Sequence, residues 1–249
     1  MQPRYLDRIG IQEPPPIGLD GLTTLMQAHL STVPFENIDV YRQTGVATDH
    51  AWALGKIVDR RRGGWCFENN GSFGWLLGSL GYDVTFLGAF VLLDPPDIVN
   101  MSHLCLRVDL DRPYLVDVGF GDSFNVPLPL AAEIKTDDGN DVHWLVEDGD
   151  YMVLMRGAPD EKPQYRFTAK RRSLEDFTPQ SERLQTPGVS QFTAQPFATR
   201  LIDGGPDRVT LLADRIKFRR AGEWEEERVV ADAWNATAEE WFGLEVDET

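Results

Sequence analysis

The stretch RRGGWCFENN, Arg61 to Asn70, decides how the rest of the chain is read. It sets a cysteine directly after two glycines and a tryptophan, and the apolar residues that follow, Phe73, Leu76, Leu77 and Leu80, recur at the spacing of one helix face. Cys66 therefore stands at a helix entrance, where free backbone N–H groups and the positive end of the helix dipole favour a thiolate. Gly63 and Gly64 give room for the close approach that a strained turn requires. A single cysteine is more often a small buried apolar residue, so a catalytic role for Cys66 depends on what accompanies it.

Upstream of this stretch the apolar residues also keep helical spacing: Leu19, Leu22, Leu25 and Met26 in one segment, Trp52, Leu54, Ile57 and Val58 in the next. Pro14 to Pro16 form a stiff connection at a helix entrance. After Gly81 the pattern changes to short runs rich in β-branched and aromatic residues, DVTFLGAFVLL, HLCLRVDL, PYLVDVGFG, VHWLVED, YMVLMRG and QYRFTAK, broken by Pro, Gly, Asp and Asn. Strands so spaced predict an antiparallel sheet or barrel. From about Gln191 a strand pair, FATRLID and RVTLLADRIKFRR, precedes a closing helix in TAEEWFGL. The chain thus reads as α+β in three parts: residues 1–82, helical and carrying Cys66; residues 83–190, the sheet; and residues 191–249, a small α/β piece.

Composition narrows the function. The 249 residues carry a formal net charge of -16, which argues against a nucleic-acid partner, because phosphate binding needs clustered Lys and Arg. The tight basic clusters are Arg60 to Arg62 and Lys170 to Arg172, each a solvated face or a contact for an anionic substrate group. The first residues hold no apolar leader segment, and no run approaches eighteen apolar residues, so the expectation is a cytoplasmic protein with no membrane partner. Two cysteines, Cys66 and Cys105, make no disulfide framework, and a reducing compartment leaves Cys66 a free thiol.

A cysteine nucleophile needs a base and a residue that orients it. Of the four histidines, His29 lies on a helical stretch and His50 near a helix start. His143, inside the strand VHWLV, is the reserve candidate, whereas His103 opens the strand HLCLRVDL at the lip of the sheet. Asp117, within YLVDVGFGD, is a carboxylate in an apolar run, costly to bury without a partner. Neighbouring strands carrying His103 and Asp117 supply that partner, and Cys66, His103 and Asp117 form a candidate triad. The chain contains no CxxC, HxxxH or HExxH, so no metal site is expected.

YLDRIG at Tyr5, HLSTVPFENID at His29, RGGWCFENN at Arg62, MSHLCLRVDL at Met101 and YLVDVGFGD at Tyr114 resemble, in order, the motifs of the arylamine N-acetyltransferase family. The resemblance spans nearly the whole chain. It implies an N-terminal helical bundle, a central antiparallel β-barrel and a C-terminal α/β lid, with a cysteine-protease-like triad falling on Cys66, His103 and Asp117. It implies a ping-pong reaction in which Cys66 takes an acyl group from a thioester, usually acetyl-coenzyme A, and passes it to an arylamine, with no bound cofactor. It places Phe35 and Phe124 on the arylamine pocket, Phe192 in SQFTAQPF beside the acyl-donor cleft, and Glu36 with Arg62 in an ion pair that braces the cysteine loop. The same family includes the amide synthases of ansamycin biosynthesis, which release a polyketide as a macrolactam. That alternative would take its acyl group from a phosphopantetheine thioester on an acyl carrier protein. An inactive protein that binds coenzyme A or an aromatic ligand is the third reading.

Overall fold

The structure, a computed structural model, describes residues 1–92, 101–157 and 161–246. Its first part is helical: α1 (Gln2–Arg8), α2 (Leu19–Thr32), a two-residue strand β1 (Phe35–Glu36), α3 (Ile38–Tyr41), α4 (His50–Leu54) and α5 (Cys66–Ser79). Helix α2 buries Leu22, Leu25, Met26, His29 and Leu30, the stripe expected of an amphipathic helix packed on a core. Helix α1 has Pro3 in its first turn and buries Tyr5 and Leu6; too short to show a period, it was not evident from the sequence pattern. The Asp49 side chain caps α4 by accepting from the Trp52 N–H at 2.7 Å, and α4 runs into a π-helical turn, Gly55–Asp59. Helix α5 buries residues all round, from Cys66 through Leu77, so it lies inside the molecule and not on its surface.

The second part is an eight-stranded antiparallel sheet: β2 (Asp83–Val91), β3 (His103–Asp109), β4 (Pro113–Val116), β5 (Leu128–Pro129), β6 (Thr136–Asp137), β7 (Val142–Asp148), β8 (Tyr151–Arg156) and β9 (Lys162–Arg172). The spatial order is β5-β4-β3-β2-β9-β8-β7-β6. Its two edges, β5 and β6, are joined directly by residues 130–135. Such a linker reaches at most about 25 Å, whereas eight strands laid flat would span about 34 Å. The sheet therefore curls into a nearly closed barrel, as expected.

A short helix α6 (Thr178–Leu184) follows, then β10 (Ala198–Leu201), β11 (Arg208–Leu211), β12 (Arg215–Arg220), β13 (Glu223–Arg228) and α7 (Trp234–Phe242). These strands order as β1-β10-β11-β12-β13, so β1 from the helical part completes this sheet through Phe35↔Thr199. RVTLLADRIKFRR folds as a hairpin of β11 and β12, not one strand. Strand β13 is exposed at every residue, and EWEEER therefore shows no apolar alternation to read. Among the described residues no helix is long and apolar enough to cross a membrane.

The main core joins α1, α2 and α5 to the inner face of the barrel; a second cluster surrounds Cys66, and a third lies under the C-terminal sheet. The nucleophile candidate thus lies away from the main core, in a cluster of its own that includes Phe35, Trp65 and Phe67.

Candidate active site

Cys66 is the first residue of α5, preceded by Trp65 in extended conformation at φ -88 and ψ -170. Neither preceding glycine lies in the left-handed region; the residue that does is Arg61, at φ 53. The expected strained turn at the glycines is thus not the reason for them. A Cβ on Gly63 would sit 2.1 Å from the Pro34 carbonyl oxygen, and one on Gly64 would sit 2.6 Å from the Glu68 Cβ. Both glycines are there so that the loop can pass between these groups.

His103 opens β3 and Asp117 directly follows β4, on adjacent antiparallel strands. His103 Nε2 and Asp117 Oδ2 are 2.6 Å apart. That leaves Nδ1 free to face the Cys66 thiol, which helps to raise the ring's pKa and has its sulfur 3.9 Å from the Ser102 carbonyl oxygen. All three residues are buried, with 4%, 2% and 2% of their surface exposed for Cys66, His103 and Asp117, so their charges meet little water and interact strongly. Burial alone would lower the imidazole pKa; the Asp117 carboxylate, by charge and hydrogen bond, overrides it, and with Cys66 the ring is pushed up to about 10. The Asp117 carboxylate thus favours the imidazolium form of His103.

The carboxylate is itself fixed. Asp117 Oδ1 accepts from Asn70 Nδ2 at 2.8 Å and from the Gly119 N–H at 2.9 Å. Asn70 also donates to the Leu104 carbonyl at 2.6 Å and accepts from the Val118 N–H at 2.9 Å. A Cβ on Gly119 would come within 2.8 Å of the Cys66 Cα. The loop after Asp117 is therefore in contact with the Cys66 backbone.

Aromatic rings surround the triad. The rings of Phe35 and Phe192 are 6.1 Å apart, that of Phe197 stacks on Phe35 at 5.4 Å, and Trp65 meets Phe192 edge-on at 5.8 Å. Phe35 and Phe192 thus join Cys66 in one cluster. Phe124 does not: it lies 1% exposed in the main core, its ring against His143 at 5.8 Å. Tyr165 lies tilted against the imidazole at 5.1 Å, and Phe120 lies edge-on to His103 at 5.3 Å. Its position three residues after Asp117 was the signal that could have found it. Asn70 had a similar signal, four residues after Cys66 on one helix face.

The remaining histidines lie elsewhere. His29 is buried, with Nδ1 3.1 Å from the Tyr5 hydroxyl, and burial lowers its pKa to about 3. His143, the reserve base, is buried with Nδ1 3.6 Å from Asp138 Oδ2, and burial lowers its pKa as well. Arg62 Nη2 pairs with Glu36 Oε1 at 2.9 Å. Among the described residues no three His, Cys, Asp or Glu side chains are placed to hold a metal ion.

A buried thiol, an imidazole whose protonation it influences and a carboxylate bonded to that imidazole are the parts needed for acyl transfer through sulfur. A profile of the N-acetyltransferase family matches residues 18–249. The arylamine N-acetyltransferase of Escherichia coli K12 is 31% identical over 251 residues, covering 98% of this chain and 89% of that protein. The chain belongs to the arylamine N-acetyltransferase family. Human arylamine N-acetyltransferase 1 is 30% identical over 270 residues, covering 93% of this chain and 92% of that protein. The Mycobacterium marinum arylamine N-acetyltransferase, solved in complex with CoA, superposes with a TM-score of 0.90 at 32% identity, covering 98% of this chain and 93% of that one. The chain is accordingly an enzyme, and the resemblance read from its motifs holds in fold as well as in sequence.

Proposed function

We propose that this N-acetyltransferase moves the acetyl group of acetyl-coenzyme A to the nitrogen of an arylamine through a thioester on Cys66. The observation that carries the proposal is the buried Cys66, His103 and Asp117 arrangement, with its 2.6 Å imidazole–carboxylate contact. In the resting pair His103 holds the proton of the thiol. The Cys66 sulfur attacks the thioester carbonyl, the carbon–sulfur bond to coenzyme A breaks, and the imidazolium gives its proton to the departing thiolate. The ring, now neutral, is the base for the second half. The arylamine nitrogen attacks the acetyl carbonyl, His103 takes the amine proton, and the amide leaves as the Cys66 sulfur is released. Asp117 stabilises the imidazolium and fixes which ring nitrogen faces the sulfur. Backbone N–H groups at the start of α5 stabilise the oxyanion, since the first turn of a helix leaves its donors without intrahelical partners. Phe35 and Phe192 offer apolar walls for an aromatic amine.

Initial rates with both substrates varied test this order of events. Parallel double-reciprocal lines are expected, because the first product leaves before the amine binds. Converging lines would require a complex of both substrates and contradict a covalent Cys66 intermediate. A cysteine that alkylates rapidly yet takes no acetyl group would point to a larger thioester donor.

A further inference from the structure

Beneath the cysteine loop lies a buried group of charges that the reaction does not use directly. Lys56, on the π-helical turn, is 1% exposed, and its Nζ lies 2.8 Å from Asp39 Oδ2, 3.2 Å from Glu68 Oε2 and 3.3 Å from Glu36 Oε1. Arg62 Nη2 meets Glu36 Oε1 at 2.9 Å and Asp39 Oδ1 at 3.3 Å. Glu68 is two residues beyond the nucleophile. Its Oε1 accepts from Trp52 Nε1 at 2.8 Å, and its Oε2 accepts from the Trp65 N–H at 3.2 Å. Glu68 thus closes the start of α5 by capping the residue just before Cys66.

This arrangement is costly. Fully buried charges are rarely kept for stability alone, since apolar residues of similar volume do as well. The network also holds one more carboxylate than cations, and burial raises the Glu68 pKa despite Lys56. We propose that Lys56 is a positioning residue for the nucleophile: it holds Glu68 where that carboxylate caps the Trp65 N–H, and it offsets the negative charge gathered at the start of α5. The inference rests on the reading of Cys66 as the nucleophile. It adds a second set of charges to those of His103 and Asp117. The groups bearing on the thiolate are then His103 and Asp117 from the sheet, Glu68 from its own helix, and Lys56, Arg62, Glu36 and Asp39 from the segments packed behind it.

Removing Lys56 forces one of two outcomes. Either the carboxylates stay charged and oppose the thiolate, or Glu68 takes up a proton and the 3.2 Å cap on Trp65 is weakened. Both make Cys66 less reactive. Neutralising Glu68 at the same time removes the cause, so the double variant should recover, whereas two merely structural losses would add.

The experiment compares wild type, Lys56→Met, Glu68→Gln and the double variant. Folding is checked by thermal melt, and iodoacetamide alkylation of Cys66 is followed by intact mass at a series of pH values, with buried Cys105 as the internal control. Lys56→Met is expected to slow alkylation at pH 7 by about fivefold or more, and the double variant to return within about threefold of wild type. Glu68→Gln is expected to move the midpoint of the pH profile about half a unit lower. A folded Lys56→Met with wild-type alkylation, or a double variant slower than either single one, overturns the inference while leaving the proposed reaction intact. If Lys56→Met does not fold, Glu68→Gln decides alone, and an unmoved midpoint overturns it. A wild-type Cys66 no faster than Cys105 overturns this inference and the proposed reaction together.

Discussion

Asn70 donates its amide to Asp117 at 2.8 Å from a position one helical turn beyond Cys66. The helix that presents Cys66 therefore also fixes the carboxylate that meets His103. The same side chain accepts from the Val118 N–H at 2.9 Å, so helix α5 and the loop after β4 cannot move independently without breaking buried hydrogen bonds.

Replacing Asn70 with alanine should leave Asp117 and Val118 short of partners. Each unsatisfied buried group costs about 1–3 kcal/mol, and about 1.4 kcal/mol is tenfold in rate. The expected result is a fall in kcat of about tenfold or more with the arylamine KM changed by less than about threefold. Steady-state kinetics on a variant shown to fold would check it, and an unchanged kcat would remove Asn70 from the account.

The His103–Asp117 pair predicts a pH dependence of stability. In the folded chain the imidazole keeps its proton up to about pH 10, whereas in the unfolded chain it loses it near its ordinary value of about 6.5. The folded state binds the proton more tightly, so the contribution is complete below about pH 6.5 and drains away as pH rises toward 10. Melting temperatures of wild type and Asp117→Asn should therefore differ most at pH 6 and converge by about pH 10. A difference that grows with pH would contradict the charged pair.

His29 acts in the other direction. Its folded pKa of about 3 means that the buried ring stays neutral, so its protonation favours the unfolded chain as pH falls from about 6.5 toward 3. Acid unfolding should accordingly be milder in His29→Gln, provided the variant folds at pH 7, than in wild type.

Gly119→Ala should lower activity about a hundredfold without unfolding the chain. The added methyl group would meet Cys66 Cα at 2.8 Å and Asn70 Nδ2 at 2.7 Å, and displacing a catalytic loop by about 1 Å costs about a hundredfold in rate. Circular dichroism and acetylation rate, measured together, separate this from a folding defect.

Two phenylalanines a few residues apart should behave differently. Phe124, buried in the main core, should cost about 3–5 kcal/mol of stability when cut to alanine. Phe120, half-buried and edge-on to His103, should instead lower kcat/KM with a smaller loss of melting temperature. Equal stability losses for both would show that Phe120 is simply core.

These contrasts show what could be read from the chain. Cys66, His103 and Asp117 were legible because each breaks its local pattern: a thiol after two glycines, an imidazole at a strand start, a carboxylate in an apolar run. The helices and barrel strands were legible from periodicity. Lys56 and Glu68 were not, because a charged residue on a helix ordinarily lies on its solvated face; only the fold brings Lys56 to three carboxylates. Phe124, just after VGFGD, was placed on the pocket by resemblance to the family, and the chain, turning through Gly121 at φ 93, carries it to a core position. Strand β13 and helix α6 lacked the apolar alternation or length that would have marked them.

The most direct test of the central claim is intact-protein mass spectrometry of wild type and Cys66→Ala after brief exposure to acetyl-coenzyme A without amine. Wild type should gain one acetyl group and lose it when an arylamine is added, while Cys66→Ala gains none. Acetylation of both proteins alike, or of neither, would contradict transfer through Cys66.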